Sequence, residues 1–278
     1  MSSVEATRPS EIIWGLVCGY AEPLRSLRKL VMLKAYFDDS NMGQGTVAVL
    51  AGWCAAPTVW APFADEWDGV LRMSPRIEYF KWSEWRTLSG QFGGISEPRA
   101  NEKLNLLVNV LEHHKPLGIA SVISNDMHQT IFGKNPDRIM RGPYFLSFYS
   151  VIAQLIEYLG VTDPNERVDF VFDIQPGQMD AATASWERFR EVAPDHLKSF
   201  IGSVTFYDDV RANPLQAADL NAGWTREQAE YACFGKEPPD PPWGNRGSTL
   251  KAITRTWTEE LYTELAKKTG AFKMPVKS

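Results

Sequence analysis

Cysteine is scarce in this chain. Cys18, Cys54 and Cys233 are the three present in 278 residues, widely spaced and odd in number. No pair has zinc-ligand spacing, and the set cannot build a disulfide framework. They read as small buried side chains in a reducing compartment, so a cytoplasmic protein is expected. No apolar run is long enough to span a bilayer. Glu5 and Glu11 interrupt the N-terminal stretch and Ile12–Tyr20 is short, so it does not read as a signal peptide. The chain has no Gly-Lys-Ser/Thr run, which excludes Walker-type nucleotide hydrolysis, and Gly43-Gln-Gly45 lacks the remaining glycines of a dinucleotide fingerprint. Basic charge is in the minority: 29 Lys and Arg against 34 Asp and Glu give a net charge of −5. That excludes a uniformly basic nucleic-acid surface while leaving room for a local basic groove. Internal repeats and low-complexity tracts are absent.

What the chain does have is apolar bulk. Ten Trp and 14 Phe are enough to build a large core. Alternation over Met32–Asp38 predicts a strand with Leu33, Ala35 and Phe37 on one face and Lys34, Tyr36 and Asp38 on the other. A turn-rich link leads to a second strand, Thr46–Trp53, and the pair reads as an antiparallel hairpin. A helix is predicted over Thr58–Leu71, a third strand over Ile77–Phe80, a short helix capped by Ser83, and a loop over Leu88–Pro98. An amphipathic helix over Arg99–His114 and a strand over Leu117–Ser124 follow. Further on come a helix from Pro143 to Leu159, a buried strand Arg167–Asp173, a helix capped by Asp180 and a short strand Ser203–Tyr207. The stretch Asn213-Pro-Leu-Gln-Ala-Ala-Asp-Leu-Asn-Ala-Gly223 opens another helix, with Asn213 as N-cap, Pro214 in the first turn and Gln216 as part cap, part site. Ser248–Lys268 reads as a final helix with Leu250, Ile253, Trp257, Leu261 and Leu265 as its stripe. The whole is expected to be a mixed α/β sheet in one domain over residues 31–278, with insertions, after an N-terminal extension of residues 1–30.

The chemistry is expected from acids. Two predicted strands end on Asp38 and Asp173, where aspartate also serves simply to start a turn. A third, Asp219, sits among Ala217, Ala218, Ala222 and Gly223, whose small side chains let a helix approach its neighbour closely. Like charges within ~4–6 Å cannot all ionise without a counter-ion. Oxygen-only ligands favour Mg²⁺ or Mn²⁺ over zinc. Two such ions suit in-line attack on a phosphodiester. Asp38, Asp173 and Asp219 are therefore the expected metal ligands, with Asp126 as the rival to Asp173. Glu84 is the first choice for an auxiliary acid and Glu78 the second. Lys81, Gln216 and Ser40 are the expected substrate contacts, and Arg86, Lys134, Arg138 and Arg141 join Lys81 as candidates for a basic rim. Asp208 and Asp209 read as a solvated acidic loop or as support for the site. Trp82 and Trp85 are candidates to stack a base. His113-His114 end a helix and meet its dipole; His128 and His196 stand alone.

The layout resembles the ribonuclease-H-like superfamily. Within it the chain is similar to the domain-of-unknown-function family 3800. Tyr36-Phe-Asp-Asp-Ser40 stands where that family has an Asp-Glu-Ser strand end, followed by a hairpin strand ending in Ala51-Gly-Trp53. Tyr79-Phe-Lys-Trp-Ser-Glu84 resembles its short Lys- or His-bearing motif. Phe170-Val-Phe-Asp173 matches its internal strand, and Pro214-Leu-Gln-Ala-Ala-Asp219 its Leu-Gln-x-Ala-Asp signature. Asp39 departs from the usual Glu and is one methylene shorter. The resemblance implies a ribonuclease-H-like mixed sheet flanked by helices and metal-dependent nuclease activity on DNA or RNA. A non-catalytic binding module and a strand-transfer enzyme are the rival readings.

Overall fold

Strand β1, Met32–Ser40, runs antiparallel to β2, Val47–Ala55, in the register Asp38↔Ala51. The computed structural model describes residues 8–18, 32–42, 45–135, 137–162, 167–173, 179–241 and 249–269. On the far side of β2 lies β3, Leu117–Ser124, again antiparallel. On the other side of β1 lies β4, Arg167–Asp173, now parallel, with Phe37 opposite Phe172. Strand β5, Ile201–Tyr207, continues parallel to β4. Strand β6, Ala252–Thr256, pairs in parallel with β3 and closes the opposite edge. The six-stranded order is β5-β4-β1-β2-β3-β6.

The predicted alternation of β1 is what separates the two cores. Ala35 and Phe37 point to a layer with Phe170 and Phe172 of β4 and with helices α6, Tyr144–Thr162, and α7, Met179–Val192. Phe148 of α6 lies 4.6 Å from Phe172, ring centre to ring centre, and Phe172 lies 5.3 Å from Phe37. Tyr36 points the other way, into Trp60, Phe63 and Trp67 of α2, Pro57–Arg72. Helices α4, Glu97–His114, and α9, Asn213–Cys233, complete that layer. Each such side chain contributes roughly 1.5–3 kcal/mol on full burial. The first helix, α1, Pro9–Cys18, adds to the second layer: Ile13 is buried there, and the Ser10 N–H donates to Asp65 Oδ1 at 3.0 Å. Part of the expected N-terminal extension is thus packed structure, while residues 19–31 fall outside the described ones.

Four expectations are corrected. Ile77–Phe80 forms no strand, because its backbone bonds to other partners: the Ile77 N–H to the Leu71 carbonyl and the Phe80 N–H to the Gln216 side chain. Ser83 lies inside α3, Trp82–Thr87, whose N-cap is Lys81. Asn213 is the first residue of α9 rather than its cap. Its amide nitrogen reaches the Ala64 carbonyl of α2 at 2.8 Å, and Ala212 takes the cap position. The expected final helix is instead β6 followed by α10, Glu259–Thr269. Its supposed stripe never shared one face: Leu250 packs on the α2 side, while Ile253, Trp257 and Leu261 pack on the α6 side. The open edge of β3 captured the segment, with the Gly118 N–H bonded to the Lys251 carbonyl and the Trp257 N–H to the Val122 carbonyl. The described residues also include two shorter helices, α5, Asn125–Phe132, and α8, Asp195–Phe200. No helix among the described residues is long and apolar enough to cross a membrane.

Candidate functional site

Parallel strands β1, β4 and β5 carry acids at or just past the same end. Asp38 lies near the end of β1 and Asp173 closes β4. Two residues beyond β5, Asp209 opens a single 3-10 turn, residues 209–211, that leads into α9. One carboxylate oxygen from each of Asp38, Asp173 and Asp209 lies within 4.8 Å of those of the other two. Asp38 and Asp209 are 2% and 4% exposed, so water cannot screen their repulsion freely. Two backbone donors fix the cluster: the Asp39 N–H bonds to Asp38 Oδ1 at 2.7 Å, and the Asp209 N–H to Asp173 Oδ1 at 3.0 Å.

Asp219 approaches from α9. It is close enough for its charge to act on Asp38, and its Oδ2 accepts the backbone N–H of Trp82 at the start of α3. The small-residue run explains the approach. The Trp53 indole N–H reaches the Ala217 carbonyl at 2.9 Å, and Asn221 Nδ2 reaches the Gly52 carbonyl at 2.9 Å, so α9 lies tight on β2. A Cβ added at Gly223 would run into the Trp82 indole. Gly223→Ala is therefore expected to displace Trp82, loosen the N–H bond to Asp219 and destabilise the fold by about 1–3 kcal/mol. Urea unfolding measures the loss; unchanged stability would show that Trp82 yields freely.

Burial and mutual repulsion act together on the acids. Burial, then the charges of Asp219, Asp173, Asp39 and Asp209, raise Asp38 well above the ordinary carboxylate range. Burial and then Asp209 push Asp173 up to about 7, against the opposing pull of Lys81. Burial pushes Asp219 up to about 7, although the Trp82 N–H and Lys81 oppose it. Asp39 rises to about 6 through burial, again opposed by Lys81. The internal counter-ion is Lys81, whose Nζ lies 2.8 Å from Asp209 Oδ2. Burial works against its charge, but Asp209, then Asp38 and Asp219, outweigh it and raise its pKa.

The other expected residues divide. Gln216 is 1% exposed and its amide is committed inside the protein. Its Oε1 accepts the Trp67 indole N–H at 3.0 Å and the Phe80 N–H at 3.1 Å, and its Nε2 donates to the Asp209 carbonyl at 3.3 Å. It positions Asp209, and it holds Phe80 beside Lys81. Ser40 ends β1, two residues past Asp38, so the strand alternation puts both on one side. Glu84 belongs to another structure. Its Oε1 accepts the Tyr79 hydroxyl at 3.1 Å and its Oε2 the Gln91 N–H at 2.7 Å, at a turn where Gly90 has φ +51°. Glu78 and Asp126 are exposed and lie outside the cluster. Trp82 and Trp85 are buried, so neither presents a free face to a base. Arg86 pairs with Glu227 at 3.0 Å. His128 is buried between the Tyr262 hydroxyl and the Met140 carbonyl.

Two residues at the site carried no such assignment. Asp209 was read only as loop or support, yet it is the third member of the tight cluster. Extending the strand-end rule one strand further, to Tyr207, points to it. Tyr144 opens α6, and burial with the charges of Asp39, Asp38 and Asp173 raises its phenol. Nothing local in its sequence marks it, because its neighbours come from other strands. No family model matches the chain, and no curated protein matches it.

Proposed function

We propose that the chain is a divalent-metal-dependent phosphodiesterase of the ribonuclease-H-like kind that cuts DNA or RNA. The observation that carries this reading is the convergence of one oxygen each of Asp38, Asp173 and Asp209 within 4.8 Å, at or just past the same end of three parallel strands. The donor set fits the ion: it is oxygen-only, and metal–oxygen bonds of ~2.1 Å bring oxygens that share one ion within this spacing. Mg²⁺ or Mn²⁺ there would polarise a phosphoryl oxygen and supply a nucleophilic water at neutral pH. Asp38, Asp173 and Asp209 would hold it, with Asp219 alongside.

The remaining residues act on geometry and charge. Gln216 holds the turn that carries Asp209. The Trp82 N–H holds one oxygen of Asp219. Lys81 balances the acids, and a phosphate arriving at the site offers its ammonium a second partner. The strand order β3-β2-β1-β4-β5, antiparallel over the first three and parallel over the rest, supports the ribonuclease-H-like reading. So does the Leu-Gln-Ala-Ala-Asp219 signature, which supports a kinship with the 3800 family.

Incubating the protein with supercoiled plasmid and with RNA tests this. Nicking or cleavage is expected with Mg²⁺ or Mn²⁺ and none with a chelator. Asp173→Asn should cut at least about 100-fold more slowly, beyond the roughly 10–100-fold typical of outer-shell partners. Equal cutting by this variant would remove the proposal. Joined rather than hydrolysed products would favour strand transfer.

A further inference from the structure

We propose that Glu66, His113 and His114 form a separate metal site, selective for Zn²⁺ or another imidazole-preferring divalent ion. Glu66 lies on α2, while the two histidines end α4. A histidine at a helix C-terminus can bond the last carbonyls of its own helix. Here both rings turn away to a neighbouring helix. His113 Nδ1 and His114 Nε2 each lie 2.8 Å from the same oxygen, Glu66 Oε2. All three candidate ligand atoms fall within 4.8 Å of one another.

The rings are also held in place. His114 is 11% exposed and meets the Phe63 ring edge-on, with centres 5.7 Å apart. His113 packs against His114 at 4.6 Å. Two imidazole nitrogens and one carboxylate make a known zinc donor set, unlike the oxygen-only cluster at the strand ends. Zinc bonds of ~2.0–2.1 Å in a tetrahedron place ligands roughly 3.3 Å apart, so a small rotation of the exposed His113 opens the space. The facing nitrogens need only carry their protons on the outward side or release them. The open face of the cluster leaves a fourth position for water. An ion held there would tie α2 to the end of α4.

Calorimetric titration and thermal melting of the full chain with ZnCl₂, in millimolar Mg²⁺ to occupy the acidic cluster, test the assignment. One saturable Zn²⁺ site and a raised melting temperature are expected. Glu66→Gln and His113→Ala should each weaken Zn²⁺ binding about tenfold or more. Both residues are exposed, at 41% and 68% of their side chains, so the variants should fold, and metal-free melting checks this. The Mg²⁺ response should be unchanged in both. Unweakened Zn²⁺ binding in these variants overturns the proposal, as does no Zn²⁺ uptake by the unaltered chain. So does loss of Zn²⁺ uptake in Asp38→Asn with retention in Glu66→Gln, since the ion would then belong to the strand-end acids.

Discussion

Asp38→Asn is expected to abolish metal-dependent cleavage while making the metal-free protein more stable. The two effects share one cause. Asp38 is 2% exposed, and burial and four neighbouring acids raise its pKa far above the ordinary range. In the unfolded chain the same side chain ionises freely at neutral pH. Folding must therefore either protonate it or bury its charge among like charges, and both are unfavourable. Asparagine has the same shape, and its Oδ1 can still accept the Asp39 N–H. It removes the repulsion and keeps the bond. The expected gain is about 1–4 kcal/mol, the range by which uncharged residues of similar volume stabilise a protein when they replace a buried ion pair. Urea unfolding in a chelator reads it directly. Cleavage should fall below detection, because an amide oxygen brings no charge to the ion. A variant that is less stable than the original, yet cuts as well, would show that the acids serve the fold and not a cation.

The metal-free protein is expected to lose stability as pH rises from the ordinary carboxylate value of 3.8 toward about 7, the raised value of Asp173 and Asp219. Within that window the folded state holds protons that the unfolded chain has released. Stability falls with pH wherever the native state binds more protons. Each such proton contributes a slope of about 1.4 kcal/mol per pH unit. The cluster as a whole is thus worth several kcal/mol, in the direction opposite to ordinary acid denaturation. Above about 7 Asp173 and Asp219 are ionised in both states and their share of the slope flattens. Adding Mg²⁺ should reverse the trend, because the ion must displace those protons and binds better as they leave. The stabilisation by Mg²⁺ should therefore grow across the same window. Thermal melts over this range, with chelator and with Mg²⁺, give both curves. The metal-free slope should shrink in Asp219→Asn. A flat metal-free profile, or a Mg²⁺ effect independent of pH, would contradict the electrostatics assigned to the site.

How far the primary structure foretold this site differs from residue to residue. The hairpin of β1 and β2, the buried run of β4 and the small-residue face of α9 were legible because their signals are local. A period of two, a β-branched or aromatic run and a set of alanines need no distant partner to be recognised. Asp38 and Asp173 were singled out for the same reason, each lying at or near the end of a recognisable strand. Gln216 was noticed but given the wrong partners, since its amide bonds to Trp67 and Phe80, far away in sequence. Asp209 stands in the tight cluster where Asp219 was expected, while Glu84, the expected auxiliary acid, bonds to Tyr79 and Gln91 instead. Only the pairing of β5 to β4 sets Asp209 against Asp173. The segment after Leu250 was misread because a helical spacing of apolar residues also fits a strand edge followed by a helix. The sequence by itself determined the β1–β2 hairpin, the buried strand β4, the two faces of β1 and the placing of Asp38 and Asp173 at or near strand ends, because those depend on neighbours along the chain. Which acid joins them, which lysine balances them and what becomes of the last segment were decided by tertiary structure, because strand order and edge pairing bring together residues that share no local pattern.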